Sequence, residues 1–376
     1  MFDTEKYFNR SYAQSRNEFR KHLSTIKEKW PSAELFTQSI GKEEDNTIDV
    51  IYSEANSSNK QVLFFTTGEH GIEGYAGAAV VHLFVEEYLD QVDPQSTGIC
   101  FVHAINPWGM KNLRRVTENN VDLNRNYFFE QGTVPETVNQ YYAKESEIFQ
   151  PNGVVKDIKK EKTALYEQLS KGMMNEGHSG IKTAKGMGQF EFERGVYYGG
   201  SEEEESTKHM KEWQHKILTT YSRVIHMDWH TALGPTNEVT MVMSEHDERE
   251  EEELKAQYGM NNIKKFTPKN VKGDSTNYFH KFKKEVSPDT KLFSALFEFG
   301  TFGADKKAEL RELTTIILEN QLYWEGAVHE EDRQWILEEF NNMFYPDEEA
   351  WREAVLKEAR LAITSVLKEE GLLLPA

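Results

Sequence analysis

Two short stretches carry residues whose types and spacing suit a bound cation. In Gly68-Glu69-His70-Gly71-Ile72-Glu73-Gly74 an imidazole and a carboxylate stand three positions apart in a glycine-rich turn that opens a helix. That spacing lets both converge on one ion. The pair alone is also the pattern of a helix-start glutamate beside a polar histidine. A catalytic zinc takes three protein ligands and keeps one position open, so a distant third donor is required. His230, in Asp228-Trp229-His230-Thr231, is the natural candidate. Between these stretches, Arg114 to Asn126 gathers Arg114, Arg115 and Arg125 with Asp122 and Asn124. A guanidinium fork in such company can clamp an anion through two hydrogen bonds, and the plainer alternative is a solvated basic loop.

The elements around these residues decide whether they can meet. Runs rich in β-branched and aromatic residues predict strands at Thr47–Tyr52, Gln61–Thr66, Gly98–Ile105, Arg223–Met227, Glu238–Met243 and Leu292–Phe297. An apolar-faced helix is predicted over Ala76–Leu89, and strand, helix, strand at this spacing makes a βαβ unit. His70 and His230 both follow predicted strands, and ligands in open α/β sheets gather outside the carboxyl ends of strands. The expected architecture is an α/β three-layer sandwich around a mixed, mostly parallel sheet. It forms one catalytic domain over residues 1–376, with a polar insertion at about 131–208 and C-terminal helices at about 330–370. A further helix is predicted from Ser11 to Lys29. The last long helix starts near Pro346-Asp347, turns Trp351, Val355, Ala359, Ile363 and Val366 inward and stops at Gly371.

Composition narrows the partners. With 38% hydrophobic residues the chain can build a real core, and 44 basic against 63 acidic residues leave a net charge of −19. Such a surface repels phosphate backbones, so nucleic acid is not the expected partner. Cys100 is the only cysteine, which excludes an intramolecular disulfide or a multi-cysteine zinc site. The first residues lack a secretory pattern and no apolar run approaches a membrane span, so the expected location is cytoplasmic. Oligomeric state is not legible.

Four ordered motifs complete the picture: His70-Gly71-Ile72-Glu73, Val121-Asp122-Leu123-Asn124-Arg125-Asn126, Asp228-Trp229-His230-Thr231 and Phe297-Glu298-Phe299-Gly300. Together they resemble the signature of the zinc carboxypeptidase superfamily. Tyr12-Ala13-Gln14-Ser15-Arg16, Asn106-Pro107-Trp108-Gly109 and Tyr197-Tyr198-Gly199-Gly200 resemble, more closely, an uncharacterised bacterial branch of it, carried as a domain of unknown function. The resemblance implies a zinc carboxypeptidase-like (phosphorylase/hydrolase-like) fold and one Zn2+ per chain, held by His70, Glu73 and His230. It implies Glu298 as general base and Arg115 as the group that polarises the scissile carbonyl. It further implies Asn124 and Arg125 as the holders of a substrate carboxylate, Asp122 as the brace on the outer nitrogen of His70, and Tyr278 as a substrate-capping tyrosine.

The implied activity is hydrolysis of an amide bond next to a free carboxylate, carboxypeptidase-like, on a peptide substrate. A second reading is an N-acyl amino acid amidohydrolase of the aspartoacylase or desuccinylase type on the same scaffold; a third is a non-catalytic binding protein. Arg114 could exchange roles with Arg115. His226 and Asp228 share a strand face with His230 and are either structural or ligands of a second metal. His103, in an apolar strand, reads as a core histidine.

Overall fold

The central strands of this chain are buried on both faces, which is the pattern of a sheet covered on both sides. The computed structural model describes residues 4–128, 139–175, 178–266 and 273–374. Eight strands form one sheet: β1 (Glu34–Ser39), β2 (Thr47–Ser53), β3 (Gln61–Thr67), β4 (Thr97–His103), β5 (Arg223–Ala232), β6 (Val239–Met243), β7 (Ile263–Lys265) and β8 (Lys291–Gly300). Their spatial order is β1-β2-β4-β3-β5-β8-β6-β7. The central pairs β3/β4, β3/β5 and β5/β8 are parallel, as is β6/β7, whereas β1/β2, β2/β4 and β6/β8 are antiparallel. The sheet is therefore mixed and mostly parallel, as expected.

Alternation along the strands divides the core in two. Leu63, Phe65, Ile99, Phe101, Ile225 and Met227 pack on one face against the helices Tyr12–Lys27, Gly74–Glu87 and Glu349–Glu369. Val62, Phe64, Cys100, Val102 and Val224 pack on the other against Glu205–Thr220 and Ser275–Val286. Three layers result. Helix starts follow local chemistry: the side chains of Ser11, Asp274 and Asp305 accept from backbone N–H groups three residues on. Trp351, Val355, Ala359, Ile363 and Val366 are all buried along the last helix, and Gly371 follows it at φ 63°. No helix among the described residues is long and apolar enough to cross a membrane.

Two differences from the sequence reading bear on the site. β5 does not stop at Met227 but runs to Ala232, because its last residues remain paired with β8 as far as Ala232↔Gly300. His230 therefore belongs to the strand itself and lies beside its register partner Glu298. β1 gave no signal: it is an edge strand exposed along nearly its whole length and shows no apolar alternation. The polar stretch expected from about 131 lies outside the described residues up to 138. Beyond it come the helices Gln140–Lys144, Ser146–Phe149, Ile158–Asn175 and His178–Met187.

Candidate metal centre

The turn after β3 is shaped by close packing. A Cβ on Gly71 would fall 2.1 Å from the backbone of Gly109, so only glycine lets this turn press against the short helix Pro107–Lys111. That turn and the end of β5 bring three donors together. His70 Nδ1 lies 2.8 Å from Glu73 Oε1, and His230 Nδ1 lies 3.1 Å from Glu73 Oε2. Ligand atoms of His70, Glu73 and His230 all fall within 4.8 Å of one another, and all three residues are buried.

The outer nitrogens are braced. His70 Nε2 meets Asp122 Oδ1 at 3.1 Å, and His230 Nε2 meets Asp228 Oδ2 at 2.9 Å. His230 thus has a carboxylate at each ring nitrogen. Burial disfavours its charged form, but Asp228 and Glu73 overcome this and hold its pKa well above the usual histidine value. Burial likewise works to raise Glu73, yet His70 and His230 bring it down to about 2. Two imidazoles turned on one ionised carboxylate, with their far sides occupied, form a donor set that suits a divalent cation with a position left open.

Asp122 and Asp228 are anchored in turn. Asp122 accepts from Arg115 Nη1 at 2.5 Å and from the Asn124 backbone N–H at 3.1 Å. Burial pushes its carboxyl up, but the guanidiniums of Arg115 and Arg125 hold it well below the usual range. Asp228 accepts from Thr66 Oγ1 at 2.6 Å. The hydroxyl spends its one proton there, so the contact of Thr66 with His226 Nε2 at 2.9 Å is donated by the ring. His226 Nδ1 then accepts from Ser294 Oγ at 2.8 Å. His226 is thereby a link in a buried polar thread across β3, β5 and β8. Asp228, with Glu69 and His230, belongs to a second set of potential donor atoms.

The structure separates the two adjacent arginines. Arg115 Nη2 lies 2.7 Å from His70 Nε2, at the site. Arg114 turns away, paired with Glu319 at 2.7 Å and stacked 3.6 Å from the ring centre of Tyr323. Glu298 is 6% exposed and its Oε2 has no partner among the described residues. Burial raises its pKa to about 8, with His230 opposing and Glu73 adding to the rise.

A cavity of about 270 Å3 opens on these residues. Its polar wall includes His70, Glu73, Arg115, Asn124, Arg125 and Glu298, and its apolar wall includes Leu233, Phe266, Leu296, Ile316 and Phe344. Arg125 donates to the carbonyls of Asn124 at 2.6 Å and Lys185 at 3.4 Å, and its Nε has no partner. No described carboxylate forms an ion pair with it. Asn124 Oδ1 accepts from the Ser275 backbone, which ties the clamp to the helix Ser275–Val286.

Tyr278 is the exception among the expected residues. It packs in the core between Tyr127 and Phe282 with Lys211 over its ring and is absent from the cavity wall. Its place in the first turn of its helix, behind the Asp274 cap, points it into the second core cluster and away from the pocket. Two wall residues that sequence reasoning did not single out are Lys185 and Tyr197. Lys185 sits in a polar helix with no motif around it, and Tyr197 stood out only as part of a Tyr-Tyr-Gly-Gly string.

Over residues 8–358 the sequence matches a family described as a protein of unknown function, DUF2817. No curated protein is significantly similar to it. Among solved structures it is similar to bovine thrombin-activatable fibrinolysis inhibitor in complex with tick carboxypeptidase inhibitor, at 13% identity and a TM-score of 0.47, covering 96% of this chain and 99% of that one. It is similar to a metallo-carboxypeptidase from Burkholderia cenocepacia at 11% identity and a TM-score of 0.43, covering 94% and 69%. Murein-tripeptide amidase from Escherichia coli O157 follows at 18% identity and a TM-score of 0.38, covering 77% and 92%. Likeness at this level leaves the substrate to be read from the chain's own residues.

Proposed function

The chain belongs to the DUF2817 family, and from the geometry of its own pocket we propose that it is a zinc-dependent hydrolase cleaving an amide bond next to a free carboxylate. The observation that carries this is Arg125, buried in the cavity wall without a carboxylate partner, beside the His70–Glu73–His230 donor set. Asp122 and Asp274 balance its charge from a distance without touching it, so a substrate carboxylate is the group that would take up its direct, bidentate pairing.

His70, Glu73 and His230 would hold the zinc, which when bound polarises a carbonyl oxygen and makes water more acidic. Glu298 takes the proton of the attacking water and delivers it to the leaving amine as the carbon–nitrogen bond breaks. Arg115 donates to the oxygen on which negative charge develops. Asp122 holds both His70 and Arg115, so the ligand and the oxyanion donor keep a fixed relation. Asn124 and Arg125 orient the substrate by its carboxylate.

A second cavity of about 290 Å3 continues past Leu233, Phe266 and Glu298, and both a dipeptide and an N-acyl amino acid carry a free carboxylate beside the bond to be cut. Acetate release from N-acetylphenylalanine and from its carboxamide, by zinc-loaded protein, tests the reading. The free acid is expected to react at least about tenfold faster; equal rates would overturn the requirement for a carboxylate.

A further inference from the structure

Asn126 is fully buried and spends its side-chain hydrogen bonds on a segment distant in sequence. Its Nδ2 donates to the carbonyls of Gly199 at 2.7 Å and Glu202 at 2.9 Å. Its Oδ1 accepts from the Glu204 backbone N–H at 2.8 Å and from the Thr207 hydroxyl at 2.7 Å. Two donors and two acceptor positions are all that a carboxamide has, so this one is satisfied completely. It fastens the chain just after Arg125 to residues 199–204 and to the start of the helix Glu205–Thr220. Asn126 itself is absent from the cavity wall, so its bearing on the site must be indirect.

The segment that Asn126 grips belongs to a small plate beside Arg125. Gln189 N–H donates to the Tyr197 carbonyl at 3.0 Å and Gly199 N–H to the Gln189 carbonyl at 2.8 Å, which joins residues 185–189 to residues 197–199. From the loop, Asp122 N–H donates to the Tyr198 carbonyl at 2.7 Å. The plate supplies the Lys185 carbonyl that accepts from Arg125 Nη2, while Nη1 donates to the Asn124 carbonyl in the loop itself. It also leaves Arg125 no slack. A Cβ on Gly188 would lie 2.9 Å from Arg125 Cδ, and one on Gly199 would lie 2.9 Å from the Arg125 carbonyl oxygen. The direction of the guanidinium is therefore set by how plate and loop stand to one another, and the Asn126 side chain is a bond between the two.

We propose that Asn126 is a positioning residue for Arg125, which keeps the guanidinium aimed before substrate arrives by locking the plate to the loop; the inference rests on the carboxylate requirement proposed above. A clamp that is already ordered spares the substrate the cost of ordering a long side chain. A carboxylate held alike in the ground and transition states shows that gain in KM and leaves kcat unaltered.

Calorimetric binding of phenylacetate and phenylacetamide to the intact protein and to its Asn126→Ala and Gly188→Ala variants tests this, together with KM and kcat for N-acetylphenylalanine. Asn126→Ala is expected to weaken phenylacetate about three- to tenfold, the cost of ordering one long side chain at binding, and to leave phenylacetamide unchanged. KM should rise by the same factor with kcat within about twofold. Gly188→Ala disturbs the plate against the Arg125 stem without removing any bond of Asn126, and the same selective loss is expected. It decides the matter where Asn126→Ala does not fold, and unchanged phenylacetate affinity there would overturn the role of the plate. Acid and amide affinities both unchanged in Asn126→Ala, or both weakened alike, would make Asn126 a structural residue only and leave the carboxylate site standing. Equal binding of acid and amide by the unmodified protein, or no binding of the acid, would overturn the carboxylate reading and this one with it.

Discussion

Replacing Arg125 by alanine is the most direct probe of the pocket. The side chain is 7% exposed, so substrate meets it in a site largely stripped of water, where a charge-assisted hydrogen bond keeps most of its strength. Its own hydrogen bonds go to two backbone carbonyls, and its charge also acts on Asp122 and Asp274, so the amide substrate serves to report any loss that comes through those groups. Removing the cation from opposite a buried carboxylate costs about 3 kcal/mol, and at about 1.4 kcal/mol per factor of ten this is about 100-fold. The assay is kcat/KM for N-acetylphenylalanine and its carboxamide, in both the unmodified and the variant enzyme. The free acid should lose about 100-fold while the amide changes by less than about threefold, so the preference collapses. An equal loss on both substrates would refute the reasoning, since it would mean that Arg125 supports the loop and never contacts the carboxylate.

Elemental analysis should find about one zinc per chain, removed by His70→Ala or His230→Ala; undiminished metal in both variants would reject the ligand set. Glu298→Gln should retain the metal and the fold while losing about two to four orders of magnitude in turnover, and near-normal turnover would move the general base elsewhere, with Glu69 the first alternative. Arg114→Ala should lower stability by about 3–5 kcal/mol through the broken buried pair with Glu319 and leave kcat/KM within about threefold; a large catalytic loss without a stability loss would reverse the assignment of the two arginines. Burial lowers the His103 pKa to about 4, with Asp49 opposing. The unfolded chain, near 6.5, therefore binds the extra proton first, and stability present above about pH 6.5 is lost as the pH falls towards 4, by about 3 kcal/mol in all. His103→Gln should make chemical-denaturation stability less steep in pH over that range, and an unaltered slope would show that His103 does not titrate.

Much of this site is legible in the sequence because the fold supplies the geometry. Once β3 and β5 are recognised as parallel neighbours, His70 and His230 must emerge on one edge, and the β8 motif brings Glu298 beside them. What was not legible depends on contacts distant in sequence. Glu319 and Tyr323 hold Arg114 facing away, and both lie far along the chain in a helix with no motif. Tyr278 was placed by analogy of position, whereas its helix turns it into the second core cluster, against Tyr127 and Phe282. Tyr197 was hidden for a different reason. A non-glycine residue at positive φ, here 58°, leaves no mark in composition or periodicity, so neither its place in the cavity wall nor its strain could be anticipated.

The polar thread through Thr66, His226, Ser294 and Asp228 has a bearing on how the sheet is assembled. Apolar residues specify which face of a strand points inward, but a parallel strand displaced by two residues would present the same face and much the same hydrophobic surface. The thread makes such a slip expensive, because moving β5 by two residues in either direction takes His226 off Ser294 and Asp228 off Thr66 and leaves buried polar groups short of partners. It acts as a key that admits one alignment of β3, β5 and β8. Since His230 and Glu298 are register partners on the last two of these strands, a key cut several residues below the pocket sets the spacing of the groups that face each other across it.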